Sequence, residues 1–358
     1  MPAAIACIDS RALLNNLGVV KKAAPKARVM AVIKANAYGH GLTRIAEVLA
    51  DKVDALAVAR LDEAIVLRQQ GIQVPVTVLQ GFNGQQELAE FLQYRLTAVI
   101  HCVEQIQWLE NSIKKDKLPV WLKMDTGMNR LGFKADEWAL AYQRLKNCNG
   151  VQQPVGQMTH LADSDRPQAI KTGRQVAAFL QLTDAVAGDK SIANSAAILS
   201  CPESIVDWVR PGLMLYGCSP FGDKTAAEYS LKPVMTLKSQ VIAVKNINIG
   251  ETVGYGSTWP CRKRGRIAVI AIGYGDGYPR YARSGTPVLV NGCKVPLVGR
   301  VSMDMITVEL PASLDVHPGD EAVLWGAGLP VEEIAAWAGT IPYTLVCGIT
   351  SRVQIIEQ

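Results

Sequence analysis

Lys34 ends an uninterrupted apolar run, Val29–Ile33, and is followed by Ala35. A lysine that closes a buried strand points into a core or into a strand-end cleft. Burial disfavours its ammonium and makes the neutral amine accessible. That is what Schiff-base chemistry requires. The alternative is a lysine paired with a buried acid, and the nearest acids in sequence are Glu47 and Asp51. Other polar groups recur at the ends of apolar runs: Lys123 and Asp125 with Asn129 and Arg130 just beyond, His160, Asn194 and Ser195, and Arg210 before Pro211–Gly212. Tyr38 and Gly39 follow the run that holds Lys34. A hydroxyl at Ser195 with backbone N–H groups at Gly212 and Leu213 would cradle an anion. A phosphate and a Schiff-base lysine in one place point to pyridoxal 5′-phosphate.

Each of these residues also has an ordinary structural reading. Ser195 at a strand end is commonly a helix N-cap. Arg210 and Lys123 could sit in structural ion pairs, the latter with Asp125. His160 could be a hydrogen-bonded core histidine. Tyr255, in a glycine-rich turn, could be a surface tyrosine.

The elements that would position these groups follow from the grain of the chain. Short β-branched runs near 27–35, 54–59, 74–80, 96–101, 118–125, 154–162, 191–196 and 207–212 alternate with amphipathic stretches such as LTRIAEVLADK, LDEAIVLRQQG and QQELAEFLQ. In the last of these Leu88, Phe91 and Leu92 recur at helical spacing, and Gly71 is a plausible helix C-cap. Near-continuous apolar strand runs suit a parallel sheet covered by helices. Eight such units match a (β/α)8 barrel in length, with functional groups at the C-terminal strand ends; a doubly wound sheet is the rival. From about Leu231 short strands follow one another with Gly, Pro and Asn turns, and only the stretch near 331–339 reads as a helix. That pattern predicts a mostly antiparallel β domain. The expected domains are 1–231 and 232–358, with the boundary near Ser230–Pro233.

Composition excludes several classes. The chain has 358 residues, 49% hydrophobic and 19% charged, which excludes a disordered protein. The net charge is +5, and the densest basic cluster, Arg262, Lys263, Arg264 and Arg266, is too short for a nucleic-acid stripe. The N-terminus carries Asp9 and Arg11 where a signal peptide needs an apolar run, and no stretch is long enough for a membrane span. A cytoplasmic protein is expected, without membrane or nucleic-acid partners. The eight cysteines stand singly, with no Cys-x-x-Cys pair, so no metal site is expected and free thiols are.

The segments AVIKANAYGHG, WLKMDTGMNRLG, NSAA, VRPGLMLYG, VGYGSTW, IGYGDGYPR and GRVSMDM, in this order, together resemble the bacterial alanine racemases. The resemblance covers nearly the whole chain. It implies a pyridoxal 5′-phosphate enzyme with an N-terminal (β/α)8 barrel and a C-terminal β domain. It implies that Lys34 holds the cofactor and that Tyr255, supplied across the interface of a homodimer with shared sites, is the second acid–base residue. Arg210 would face the pyridine nitrogen, with His160 linking it to Tyr255. Tyr38, Ser195, Gly212, Leu213 and Tyr343 would hold the phosphate, and Asn194 adjoins them. Arg130 would steer the substrate carboxylate, and Lys123 beside it would carry a carbamate. Met303 and Asp304, supplied by the partner chain, would help line the substrate pocket, and Tyr274 with Tyr343 would narrow its approach. The bulk of Met303 and Tyr343 favours a small substrate side chain, and the implied substrate is alanine. Its two enantiomers would be interconverted for D-alanine supply or for catabolism.

This chemistry suits these residue types. Racemisation takes the Cα proton from one face and returns one to the other, so two bases on opposite faces serve both directions. Lysine and tyrosine both titrate at about 10 in water, so each must be tuned downward. Two other readings remain open at this level. A decarboxylase of the same two-domain plan would carry a catalytic cysteine in its β domain, and Cys347 precedes Gly348 here. A non-catalytic carrier of the cofactor would be a single barrel. The polar stretch LADSDRP after His160 has no assigned role.

Overall fold

The computed structural model describes residues 4–112 and 116–358. The chain forms two compact units. One comprises Leu17–Ala37 and Gly41–Leu215, and the other the segment through Asn16, Tyr38–His40 and Tyr216–Gln358.

The first unit is a closed barrel of parallel strands. After an N-terminal strand β1 (Ala4–Ile8), its staves are β2 (Arg28–Val32), β3 (Ala55–Val58), β4 (Val76–Val78), β5 (Thr97–Ile100), β6 (Val120–Lys123), β7 (Gly156–Met158), β8 (Lys190–Asn194) and β9 (Trp208–Arg210). The barrel closes by pairing Arg28 with Trp208 and Val29 with Val209. Strands such as Ala55–Val58 are buried along their whole length, as staves covered on both faces must be. Helices follow most strands, including Leu42–Leu49, Leu61–Gln69 and Gln85–Gln93. Leu88 and Phe91 are buried on the last of these. Gly71 lies just past the second, at φ 82°, in the left-handed conformation that closes a helix. The eight apolar runs are the eight staves, so the barrel replaces its doubly wound rival.

The second unit is a mostly antiparallel sheet. Its strands are β10 (Met235–Ile247), β13 (Gly265–Ile270), β14 (Pro287–Val290), β15 (Cys293–Pro296), β16 (Ile306–Leu310), β17 (Glu321–Trp325) and β18 (Gln354–Glu357), with a small ribbon of β11 (Thr252–Val253) and β12 (Trp259–Pro260). The order runs β15-β14-β17-β10-β1-β18, with β13 on β10 and β16 on β13. The long β10 pairs β1 and β17 along its first half and β13 along its second.

Two features differ from the reading of the sequence. The first is β1. The expected barrel began at residue 1, yet Ala4–Ile8 lies in the other unit's sheet, antiparallel to β10 and parallel to β18. A short apolar strand has two edges to satisfy, and nothing local says which sheet will do so. The second is a helix at Pro342–Cys347, which carries Tyr343. It is too short for periodicity to show, although proline at its first position is a start signal.

Candidate active site

The barrel's C-terminal strand ends gather the charged residues. Lys123 is the last residue of β6, Asn194 of β8 and Arg210 of β9. Lys34 follows β2 by one residue and begins an unusual turn. Ala35, Asn36 and Ala37 have φ/ψ near 53°/50°, and Tyr38 has φ 52°. This is a left-handed turn made without glycine, costing about 1–2 kcal/mol per residue. Neighbours hold it in place. Ala37 N–H donates to the Ile33 carbonyl (2.9 Å) and Gly41 N–H to the Asn36 carbonyl (3.0 Å). Asn36 Oδ1 accepts from Leu42 N–H (2.8 Å), and Glu63 Oε1 accepts from Ala35 N–H (2.6 Å).

Arg210 is buried, and its partners are neutral. It donates to Ser191 Oγ (2.5 Å), to the Thr159 carbonyl (2.6 Å) and to the Ile192 carbonyl (3.1 Å), and it lies 3.4 Å from His160 Nδ1. The structural ion pair is therefore not its role. Burial pulls its pKa down only to about 10, so it stays charged at neutral pH. His160 is driven well below the usual imidazole value, first by burial and then by the nearby charges of Arg210, Lys123, Arg130 and Lys34. It is a neutral ring. Its Nδ1 lone pair faces the guanidinium, which leaves the proton on Nε2.

Lys123 stands among like charges. Its pKa falls to about 8, through burial first and then through Arg210, Arg130 and Lys34. The alternative pairing with Asp125 does not form. Asp125 is taken by Lys134 Nζ (2.7 Å) and by the N–H groups of Gly127 (2.9 Å) and Asn129 (3.0 Å). Burial alone would raise this carboxyl, but those donors hold it below its ordinary value. The same bonds fold the loop after β6 back on itself, with Asn129 at φ 58° and Phe133 N–H donating to the Lys123 carbonyl (3.0 Å). A Cβ at Gly132 would lie 2.9 Å from the Asp125 nitrogen, so that close return needs glycine. Arg130, on this loop, is exposed and has no hydrogen-bond or ion-pair partner among the described residues.

Ser195 is not the N-cap. Asn194 caps the helix Ser195–Ser200, its Oδ1 accepting from Ala197 N–H (3.0 Å). The buried Ser195 hydroxyl instead accepts from Gly212 N–H (2.9 Å) and Met214 N–H (3.3 Å). A hydroxyl and backbone donors from the ends of β8 and β9 thus converge, with Leu213 between the two donors. The polar stretch after His160 also finds a task here: Ser164 Oγ, buried, donates to Asn194 Oδ1 (3.0 Å).

The other unit carries the remaining candidates in two groups. Tyr38, buried, stacks on Tyr216 (4.8 Å) and lies 5.9 Å from Tyr343, while His40 packs on Tyr216 at 4.5 Å. Burial, then Tyr343 and Cys347, push the Tyr38 phenol far up, so it is a neutral donor. A Cβ at Gly39, whose φ is 82°, would lie 2.0 Å from the Val346 carbonyl oxygen, so this segment reaches the helix Pro342–Cys347 only as glycine. The second group is exposed. Tyr274 N–H donates to the Ser302 carbonyl (3.1 Å) and Gly275 N–H to the Met303 carbonyl (2.8 Å), which zips these two loops together. Asp304 is held by Arg352 (2.8 Å), which also binds Asp276 (3.1 Å). Tyr255 is 70% exposed.

Sequence reasoning missed Thr159, Ser191 and Glu63. Thr159 and Ser191 sit inside β-branched runs as ordinary polar residues, and Glu63 reads as a helix first-turn acid. Among the described residues no group of three or more His, Cys, Asp and Glu side chains could hold a metal ion. Among the same residues no helix is long and apolar enough to cross a membrane.

A parallel barrel with four cations and a buried hydroxyl bonded to backbone N–H groups at its strand ends, joined in one chain to a mostly antiparallel β unit, defines a class of two-domain barrel enzyme. Family models for the alanine racemase N-terminal and C-terminal domains match residues 8–220 and 234–357. The alanine racemase of Aeromonas hydrophila is 52% identical over 353 residues, covering 99% of both chains. That of Coxiella burnetii is 49% identical over 362 residues, covering 100% of this chain and 99% of its own. The solved structure of the biosynthetic alanine racemase from Pseudomonas aeruginosa superposes with a TM-score of 0.97 at 41% identity, covering 100% of both chains. The chain belongs to the alanine racemase family.

Proposed function

We propose that this chain interconverts L- and D-alanine with pyridoxal 5′-phosphate as cofactor, as a homodimer in the cytoplasm. The observation that carries this reading is the cluster of Lys34, Lys123, Arg130 and Arg210, beside which Asp125 is already engaged by Lys134 and Glu63 by three backbone N–H groups. So concentrated a positive charge calls for an anionic occupant. The ends of β8 and β9 fit a phosphate ester: the buried Ser195 hydroxyl accepts from the N–H groups of Gly212 and Met214, which leaves its own proton to donate to the ester.

When bound, the cofactor supplies an electron sink that acidifies the substrate's Cα–H bond. Lys34 would hold it at rest and, with its amine freed once the substrate amine takes its place, would move the proton on one face of Cα. The partner subunit's Tyr255 moves the proton on the other. Neutral His160, with its proton on Nε2, is suited to accept from Arg210 and donate onward, which gives Tyr255 a hydrogen-bonded path to a permanent charge. Arg210 keeps that charge at every working pH and so remains a donor toward the pyridine nitrogen. Arg130 has a guanidinium available for the substrate carboxylate. Met303 of the partner subunit, with Tyr274 and Tyr343, would restrict the space left for the substrate side chain, which suits a methyl group. The product serves cell-wall D-alanine supply or alanine catabolism.

The test is chiral chromatography of L-alanine after incubation with the purified protein and pyridoxal phosphate. D-alanine should accumulate to an equal mixture, because the enantiomers are isoenergetic. No D-alanine, with cofactor bound, would refute the reading.

A further inference from the structure

Lys34 is held from two sides, and only one of them is ordinary barrel structure. Before it, the ladder fixes the chain: Val32 N–H donates to the Pro211 carbonyl (2.8 Å) and Ile33 N–H to the Ala57 carbonyl (2.8 Å). After it comes the left-handed turn, which the local backbone disfavours. The peptide plane joining Lys34 to Ala35 has its N–H bound by a side chain, the carboxylate of Glu63, at 2.6 Å. Holding that N–H fixes the peptide plane that follows Lys34, and together with the ladder before it this fixes the backbone frame from which the lysine side chain leaves.

Glu63 is well placed for such a task. It lies in the first turn of the helix Leu61–Gln69 and is half-buried. Its second oxygen, Oε2, accepts from Ala59 N–H (2.9 Å) and Arg60 N–H (3.2 Å). One carboxylate therefore joins the turn that begins at Lys34 to the end of the neighbouring stave β3. All three of its partners are N–H donors, so both oxygens must be acceptors. An amide at this position can satisfy only one side. It would turn its oxygen to the two donors at Ala59 and Arg60, and its NH2 would then face the Ala35 N–H, donor against donor.

We propose that Glu63 is a positioning residue: its carboxylate clamps the strained turn after Lys34 and so aims the lysine amine. This rests on the assignment of Lys34 as the cofactor lysine, and the measurements below separate the two.

The variants are Glu63→Gln, which keeps the shape but loses one acceptor, and Glu63→Asp, which keeps the charge but shortens the reach. Hydrogen exchange at the Ala35 amide of the apoprotein should quicken at least tenfold in Glu63→Gln, with the amides of Leu61–Gln69 unchanged. Capture of pyridoxal phosphate by Lys34, trapped with borohydride and mapped by peptide mass, should slow at least fivefold. In the loaded enzyme kcat should fall in both directions, with KM for alanine within twofold. Glu63→Asp should lie between parent and Glu63→Gln in all three. If Ala35 exchange is unchanged in both variants, there is no clamp. If exchange quickens while capture stays within twofold of the parent, Glu63 is only a helix cap and the proposal fails. Should Lys34 capture no cofactor in the parent protein, the assignment of Lys34 fails instead, and the exchange data still report on the clamp.

Discussion

Lys123 should react with carbon dioxide at neutral pH, and the structure sets the scale of the effect. Its pKa of about 8, against the usual 10.5, comes from burial first and then from the charges of Arg210, Arg130 and Lys34. At pH 7 about 9% of such an amine is neutral, against roughly 0.03% for an ordinary lysine, a gain of about 300-fold in the reactive form. Carbamate formation exchanges a positive charge for a negative one. It lowers the formal charge of the four-cation cluster from about +4 to +2 and gives Arg130 an anion to bind. The assay is 13C NMR of the protein in 13C-bicarbonate, between pH 6 and 9, with Lys123→Arg as the control. A single carbamate signal, missing from the control, is expected at pH 7–8. Stability provides a second readout. Unmodified Lys123 has a lower pKa folded than unfolded, so the unfolded chain binds more protons between pH 8 and 10.5. Stability should therefore rise with pH across that window, by about 3 kcal/mol at full extent. In bicarbonate that rise should begin below pH 8, because the folded carbamate carries no proton on this nitrogen while the unfolded lysine stays protonated up to about 10.5. No carbamate signal in saturating bicarbonate, together with an unchanged rise in stability, would refute the reasoning.

Lys34→Ala should abolish turnover and, in the same sample, any borohydride-stable mass addition from pyridoxal phosphate; full turnover in this variant would sink the mechanism. Tyr255→Phe should bind cofactor normally yet exchange the Cα proton of one enantiomer far faster than that of the other, read by NMR in deuterated water. Equal exchange from both would exclude two bases on opposite faces. Asn194→Ala removes a helix N-cap and leaves the Ser164 hydroxyl without its acceptor. The apoprotein should lose about 1 kcal/mol or somewhat more, read as a lower urea midpoint. Asn194→Ser should recover most of the loss, and an unchanged midpoint in Asn194→Ala would show that the cap contributes nothing.

Much of the architecture was legible because it is written in local pattern. A parallel stave buried on both faces leaves a short apolar run, and eight such runs separated by amphipathic stretches have few folds open to them. A charged residue closing such a run is visible for the same reason, and this singled out Lys34, Lys123 and Arg210. The family motifs then named roles that spacing alone left open, above all for Tyr255.

Tertiary structure decided the partners. Alanine, asparagine and tyrosine carry no sequence signal for a left-handed turn, so the conformation after Lys34 rests on what surrounds it, Glu63 included. Asp125 stands two residues from Lys123 and five from Arg130, yet it binds Lys134, because the loop folds back through Asn129 and Gly132. Either Asn194 or Ser195 could cap the following helix. The donors at Gly212 and Met214, from another strand end, determine that Asn194 caps and Ser195 faces them. The strand Ala4–Ile8 joins a sheet built from the far end of the chain. Periodicity records which face of an element meets a core, since each side chain answers to burial separately. Pairing depends on groups distant in sequence, whose approach exists only once the whole chain has folded.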